Sequence, residues 1–230
     1  MKEGFFSDLF DSRTIICVCC NKRRKYKELA METGKIGVCK SCMQGIAKTQ
    51  YGSSFEGSRY VSYVLSPLIY NNSAREMVKS LKFLQNTVMA DVFGKIFAEF
   101  LSHYKHLSEF DMIVSVPLSK ERMNERGYNQ AHYIAEQVSM EIDVPIKNPV
   151  RRIKHTKRQS GLSAQKRFYN VMDAFMADDS VCGKRIILVD DVRTTGNTMD
   201  NCAKAMIQKG ATEVIGITAT ITMPKFKISY

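Results

Sequence analysis

No stretch of the 230-residue sequence is apolar for long enough to cross a bilayer, since a spanning helix needs ~20 consecutive apolar residues. Nor does the opening MKEGFFSDLF read as a signal peptide, because it is acidic and broken where such a peptide is continuous and apolar. The expected compartment is therefore the cytoplasm, with no transmembrane segment. Internal repeats and low-complexity tracts are absent, and 44% of residues are hydrophobic. A structureless or fibrous chain is excluded, and one α/β core with a small extra module is expected. Histidine is scarce: His103, His106, His132 and His155 form no evident constellation, so no general base can be named. Acidic residues are missing altogether from Lys147 to Arg167, a stretch that holds eight Lys and Arg.

The cysteines are as unevenly placed as the charge. Five of the seven fall between residues 17 and 42, which argues for a metal and against a disulfide framework. Cys17 and Cys20 form one C-x2-C pair, and Cys39 and Cys42 another, with eighteen residues between the pairs. That spacing suits a four-thiolate zinc site, in which each pair makes a knuckle around a tetrahedral ion. So short a segment has little core of its own, so the metal is expected to be its main support. Cys19 adjoins Cys20 and could compete as a ligand, but C-x-C spacing is the less usual geometry, so it is left out of the expected set. The net charge is +11, and two segments carry it: +5 up to residue 48 and +8 over residues 147–167, with the remainder at −2. Local positive surfaces, and not general basicity, need explaining. In the first segment Arg23, Arg24 and Lys25 with Tyr26 offer charge and a stacking ring, a weak signal for a nucleic-acid strand.

The organisation reads as a cysteine module over 1–48, a connector over 49–59 rich in Gly and Ser, and an α/β domain over 60–230. Within the domain a first strand is expected over Tyr60–Leu65 and a helix over Ser73–Phe83. A long amphipathic helix follows, from Val88 to Tyr104. Next come a buried strand in DMIVSVP, a helix marked by Ile134, Ala135, Val138 and Ile142, and a strand over Arg185–Val189. A helix carrying Met199, Cys202 and Met206 and a strand over Glu213–Thr222 complete the pattern. Strands alternating with helices imply a parallel sheet flanked by helices, with its ligand site beyond the carboxyl ends of the strands.

The stretch RIILVDDVRTTGNTMD changes character at Asp190. A buried strand delivers Asp190 and Asp191 to the sheet edge, and Thr194, Thr195, Gly196, Asn197 and Thr198 then lead into a helix. Exposed N–H groups and hydroxyls at a helix start favour a phosphate dianion. Ionised carboxylates only accept hydrogen bonds, which suits them to sugar hydroxyls and not to phosphate. The arrangement resembles the diphosphate-sugar fingerprint of type I phosphoribosyltransferases. That resemblance implies ribose hydroxyls on Asp190 and Asp191, taken as the catalytic pair, and a 5′-phosphate on residues 194–198.

More of the chain after residue 60 carries a closer resemblance, to the ComF family. It rests on VPLSKERMNERGYNQA, on Arg152, Thr156 and Gln159 spaced R-x3-T-x2-Q, and on Arg167 and Asn170 ahead of DDVRTTGNT. The resemblance implies a diphosphate-binding loop with Lys120, Arg122, Arg126 and Gly127. A mobile flap containing Arg152 and Arg158 would close over the diphosphate, with Mg2+ carried on the substrate phosphates. Ser119 departs from the pattern, since relatives often have histidine there. The same resemblance implies an N-terminal zinc finger, phosphoribosyl diphosphate as ligand, single-stranded DNA handled during natural transformation, and a DNA-uptake helicase as partner. Three readings stay open: a DNA-uptake factor that binds phosphoribosyl diphosphate, a phosphoribosyltransferase acting on an unknown acceptor, and a nucleotide-linked regulator that merely kept the fold.

Overall fold

The computed structural model describes residues 14–33, 36–50, 54–83, 87–153 and 174–223. The first two segments hold a four-stranded sheet: β1 (Thr14–Cys17), β2 (Arg23–Lys25), β3 (Leu29–Thr33) and β4 (Ile36–Cys39), in the order β2-β1-β4-β3. The turn after β1 is closed by Cys17, whose N–H donates to the Lys22 carbonyl and whose carbonyl accepts from Asn21, a residue at φ 56. A short helix, α1 (Lys40–Gln44), follows β4 directly. Each C-x2-C pair therefore begins at the end of a strand and finishes in the tight segment after it.

The larger sheet contains β5 (Phe55–Glu56), β6 (Tyr63–Leu65), β8 (Met112–Ser115), β9 (Ile146–Lys147), β12 (Arg185–Arg193) and β13 (Glu213–Ile221). Its order is β5-β6-β13-β12-β8-β9, and β7 (Leu68–Ile69) also pairs with β13. Every pairing in it is parallel except β5 with β6. The expected parallel sheet is thus present, with one antiparallel edge strand drawn from the Gly- and Ser-rich connector.

Alternation along β12 divides the core. Ile187 and Val189 enter one cluster with Phe93, Phe97 and Val138, whereas Ile186 and Leu188 enter another with Cys202, Met206 and Phe175. The first cluster lies under α2 (Asn72–Phe83), α3 (Thr87–Leu101) and α5 (Gln130–Ile142). The second lies under α6 (Asn197–Gln208) and the hairpin of β10 (Val150–Arg152) with β11 (Phe175–Ala177). Side-chain oxygens cap two of these helices: Asn71 accepts from Ala74 N at 3.0 Å, and Asn129 from Ala131 N at 3.1 Å.

The two sheets share apolar contacts. Val38 and Ile46 belong to the first core cluster of the large sheet, and Val18, Cys19, Cys42 and Met43 pack against it. Thr49 donates its hydroxyl to the Ser66 carbonyl at 2.6 Å, and Lys48 bridges to Leu68. Among the described residues no helix is long and apolar enough to cross a membrane.

Two expectations change here. The strand expected to stop at Val189 runs on to Arg193, because the ladder to β13 continues through Asp190↔Thr218 and Val192↔Thr220 to Arg193↔Ile221. The segment expected as a diphosphate-binding loop is in part a helix, α4 (Lys120–Arg126). Ser119 caps it, accepting from Arg122 N, and Gly127 ends it at φ 76 in the left-handed region that glycine tolerates best. The serine that departs from the family pattern thus has a structural task.

Candidate functional site

Two sites emerge from these elements. The sulfurs of Cys17, Cys20, Cys39 and Cys42 all lie within 4.8 Å of one another. Thiolates around a tetrahedral zinc at ~2.3 Å would stand about 3.8 Å apart, so the cluster fits that ion with a small contraction. Cys39 N–H also points at the Cys17 sulfur, at 3.4 Å. The Cys39 thiol is brought down to about 6: burial opposes this, but hydrogen bonds from the Ser41 hydroxyl and the Cys42 N–H outweigh it. Cys19 stands outside the cluster. Burial pushes its thiol up to about 12, with Cys17 acting in the same direction, and its side chain packs against the core of the large sheet. Cys19 also borders the group, since its thiol hydrogen-bonds that of Cys17 and packs beside Cys17 and Cys39, but it is not one of the four sulfurs within 4.8 Å of one another.

The basic run beside the cluster is split by strand alternation. Arg23 and Lys25 pair with Ile16 and Thr14, and all four side chains are exposed. Tyr26 follows on the exposed side at 37%. Arg24 pairs with buried Ile15 and faces the other way, where Nη2 approaches the Cys20 sulfur at 3.9 Å and Nη1 meets Glu28 at 3.5 Å. Of the four residues expected to meet DNA, Arg24 is thus engaged with the cysteine cluster.

The second site lies where β12 passes into α6. Asp190, Val192, Arg193, residues 194–198 and Met199 line a shallow pocket open to solvent. Gly196, at φ 79, is the N-terminal cap of α6, and Thr194 and Thr195 are exposed at the mouth. Five hydroxyl, amide and backbone positions expected for the phosphate therefore surround one cavity at a helix start.

Asp190 and Asp191 are half-buried at its edge, and Asp190 Oδ1 accepts from Asp191 N at 2.8 Å. As neighbours on an extended strand they serve different partners. Asp190 acts on Arg152 of β10, and Asp191 on Arg126 of α4. Burial holds both guanidinium pKa values below the usual range, and the charge of Arg122 adds to the effect on each. The charges of the three arginines expected at the diphosphate thus act on one another, and Asp191 and Asp190 offset them at Arg126 and Arg152. Arg126 is further held by Gln130 Oε1 at 2.5 Å, and Arg152 by the Phe175 ring, 5.4 Å from its centroid. Lys120 is exposed on the first turn of α4 and makes no hydrogen bond or ion pair among the described residues. Arg158 and most of the expected flap lie outside the described residues.

Sequence reasoning passed over two residues of this neighbourhood. Arg193, inside the motif itself, donates from Nη2 to the Gly57 carbonyl at 3.1 Å. Asp200, in the first turn of α6, accepts from the Ser58 hydroxyl and, at 3.0 Å, from Tyr60 N. Partners some 140 positions away leave no trace in local periodicity. Only an acid two positions past the 194–198 turn hinted at a task.

Residues 129–224 match the model of the phosphoribosyl transferase domain. The chain is 40% identical over 108 residues to Competence protein F of Haemophilus influenzae, an alignment covering 45% of this chain and 47% of that one. It is 33% identical over 141 residues to Competence protein ComFC of Bacillus subtilis, covering 61% and 56%. To the DNA utilization protein YhgH of Escherichia coli it is 31% identical over 154 residues, covering 65% and 64%. The chain thus spans between about half and just under two thirds of the length of these curated relatives. A largely parallel sheet with helices on both faces, a four-cysteine cluster ahead of it and these similarities agree: the chain is similar to Competence protein F, to ComFC and to YhgH, and its residues 129–224 match the phosphoribosyl transferase domain.

Proposed function

We propose that the chain binds phosphoribosyl diphosphate with Mg2+ at the turn from β12 to α6 and supports the handling of single-stranded DNA during natural transformation. One observation carries the first half: a pocket at a helix start is lined by Asp190 and the hydroxyl, amide and backbone groups of residues 194–198, and the charges of Arg152 and Arg126 act with Asp190 and Asp191. Guanidiniums that repel one another at a concave, partly desolvated edge suit a diphosphate, which they grip through charge-assisted hydrogen bonds. The cradle of residues 194–198 suits the 5′-phosphate, and the two acids suit the hydroxyls of the sugar between them. Asp190 and Asp191 are also the oxygen donors available to Mg2+, which would help neutralise a departing diphosphate. In a transfer reaction the arginines would stabilise the negative charge that grows on the leaving group while the acids hold the ribose.

The second half draws on relatives named for competence and for DNA utilization. Arg23, Lys25 and Tyr26 form the exposed face of the edge strand β2 and its exit, where charge can meet phosphates and a ring can meet a base. Zinc in the four-cysteine cluster would supply the rigid support for that face.

Calorimetry of the wild-type chain with phosphoribosyl diphosphate and Mg2+ is expected to show saturable binding, and no heat of binding would reject the ligand. For the DNA half, an unstructured single strand is expected to bind with strong salt dependence. Arg23→Ala/Lys25→Ala would weaken it about tenfold and lower the salt slope by about 1.4, from ~0.7 per charge removed. An unchanged slope would remove β2 from the DNA surface.

A further inference from the structure

Arg193 has no assigned task, yet its guanidinium lies at the mouth of the phosphate cradle. It lines the pocket and is half-buried. A Cβ added to Gly196 would come within 3.3 Å of its Nε, so the guanidinium rests against the glycine that opens α6. Both the positive charge and the start of α6 therefore face the same cavity, and like signs repel there until an anion arrives. Its hydrogen-bond partner, the Gly57 carbonyl, orients the group without neutralising it. Among the described residues no carboxylate forms an ion pair with it. Burial lowers its pKa, and the more distant charge of Glu56 only partly offsets this.

The connector is built to hold that carbonyl in place. A Cβ at Gly57 would fall 1.9 Å from the Val61 carbonyl oxygen, so the chain doubles back there too closely for any side chain. Ser58 and Tyr60 N–H are anchored to Asp200 on α6 itself. Connector, guanidinium and helix start thus form one closed set of contacts around the pocket.

We propose that Arg193 is a further phosphate-binding residue of the cradle, presented to the ligand by the connector carbonyl of Gly57. The inference rests on the phosphoribosyl diphosphate reading for the identity of the ligand, but its chemistry requires only a phosphate dianion. The connector then becomes part of the site and not a spacer between two modules.

Two probes keep the claims separate: inorganic phosphate, and phosphoribosyl diphosphate with Mg2+, each titrated into wild type, Arg193→Gln and Arg193→Lys. Arg193→Gln is expected to lose about tenfold in affinity for both, in line with one charge-assisted contact. Arg193→Lys should keep inorganic phosphate within about threefold, because a charge without the fork still attracts the dianion. In the wild-type chain the Arg193 Nε–Hε resonance should shift and saturate with phosphate. If Arg193→Gln binds both probes like wild type, or the resonance stays still while phosphate binds, the inference is wrong and the sugar-diphosphate site survives. If inorganic phosphate binds through Arg193 while phosphoribosyl diphosphate does not bind, the inference stands and the ligand reading falls. Binding of neither probe overturns both. Should Arg193→Gln fail to fold, the lysine variant and the wild-type resonance decide.

Discussion

Replacing Asp190 and Asp191 together by asparagine will weaken the binding of phosphoribosyl diphosphate by on the order of a hundredfold while strengthening that of inorganic diphosphate a few-fold. The two signs have one origin. Each carboxylate would accept from a ribose hydroxyl, and exchanging two charged acceptors for neutral amides loses roughly 2–3 kcal/mol in all. The same carboxylates hold back the arginines: Asp190 acts on Arg152 and Asp191 on Arg126. Without them the guanidiniums face an anion with their full charge, and a diphosphate that carries no sugar gains from it. Calorimetry with both ligands reads the split directly. Parallel losses for the two would mean that the acids only support the fold, and parallel gains that they never touch a sugar.

Removal of the metal from the four-cysteine cluster will unfold the first sheet and lower the melting temperature of the whole chain by on the order of 10 °C. Structural zinc supplies about 10–16 kcal/mol of apparent binding energy to short fingers, and that energy is their folding energy. The loss spreads because Val38 and Ile46, at 0% and 6% exposure, are part of the core of the large sheet. Exposing two such side chains costs about 3–6 kcal/mol, and a chain of this size melts roughly 2–4 °C lower per kcal/mol. Scanning calorimetry with and without chelator, and on Cys39→Ser, measures the effect. Protein that carries no stoichiometric zinc as purified, or melts unchanged after chelation, would deprive the module of its metal.

The helices with apolar stripes were readable because burial writes itself at helical spacing. Thr87–Leu101 and Gln130–Ile142 match the expected segments closely. The helix Lys120–Arg126 was not, since Met123 is its one apolar residue and stands 42% exposed. Its signals were local caps, Ser119 before it and Gly127 after it, and these were read as parts of a loop. The end of β12 was missed for a related reason. Hydrophobicity stops at Val189, but the backbone ladder to β13 ignores side-chain polarity and continues to Arg193. Within the basic run at 22–27, charge alone could not separate Arg24 from its neighbours, because the direction of a strand side chain depends on register with β1.

The sequence alone was enough to determine the class of the sheet, the grouping of the four cysteines and the turn that opens into the last helix. Each of these depends on neighbours within a few positions, where spacing and residue chemistry act without the rest of the chain. Tertiary structure decided that Asp190 and Asp191 each act on a different arginine, that Arg24 attends the cysteines, and that the connector carries Arg193. These contacts join residues far apart in the chain, and only the closing of the core brings their charges and hydrogen-bonding groups within reach of one another.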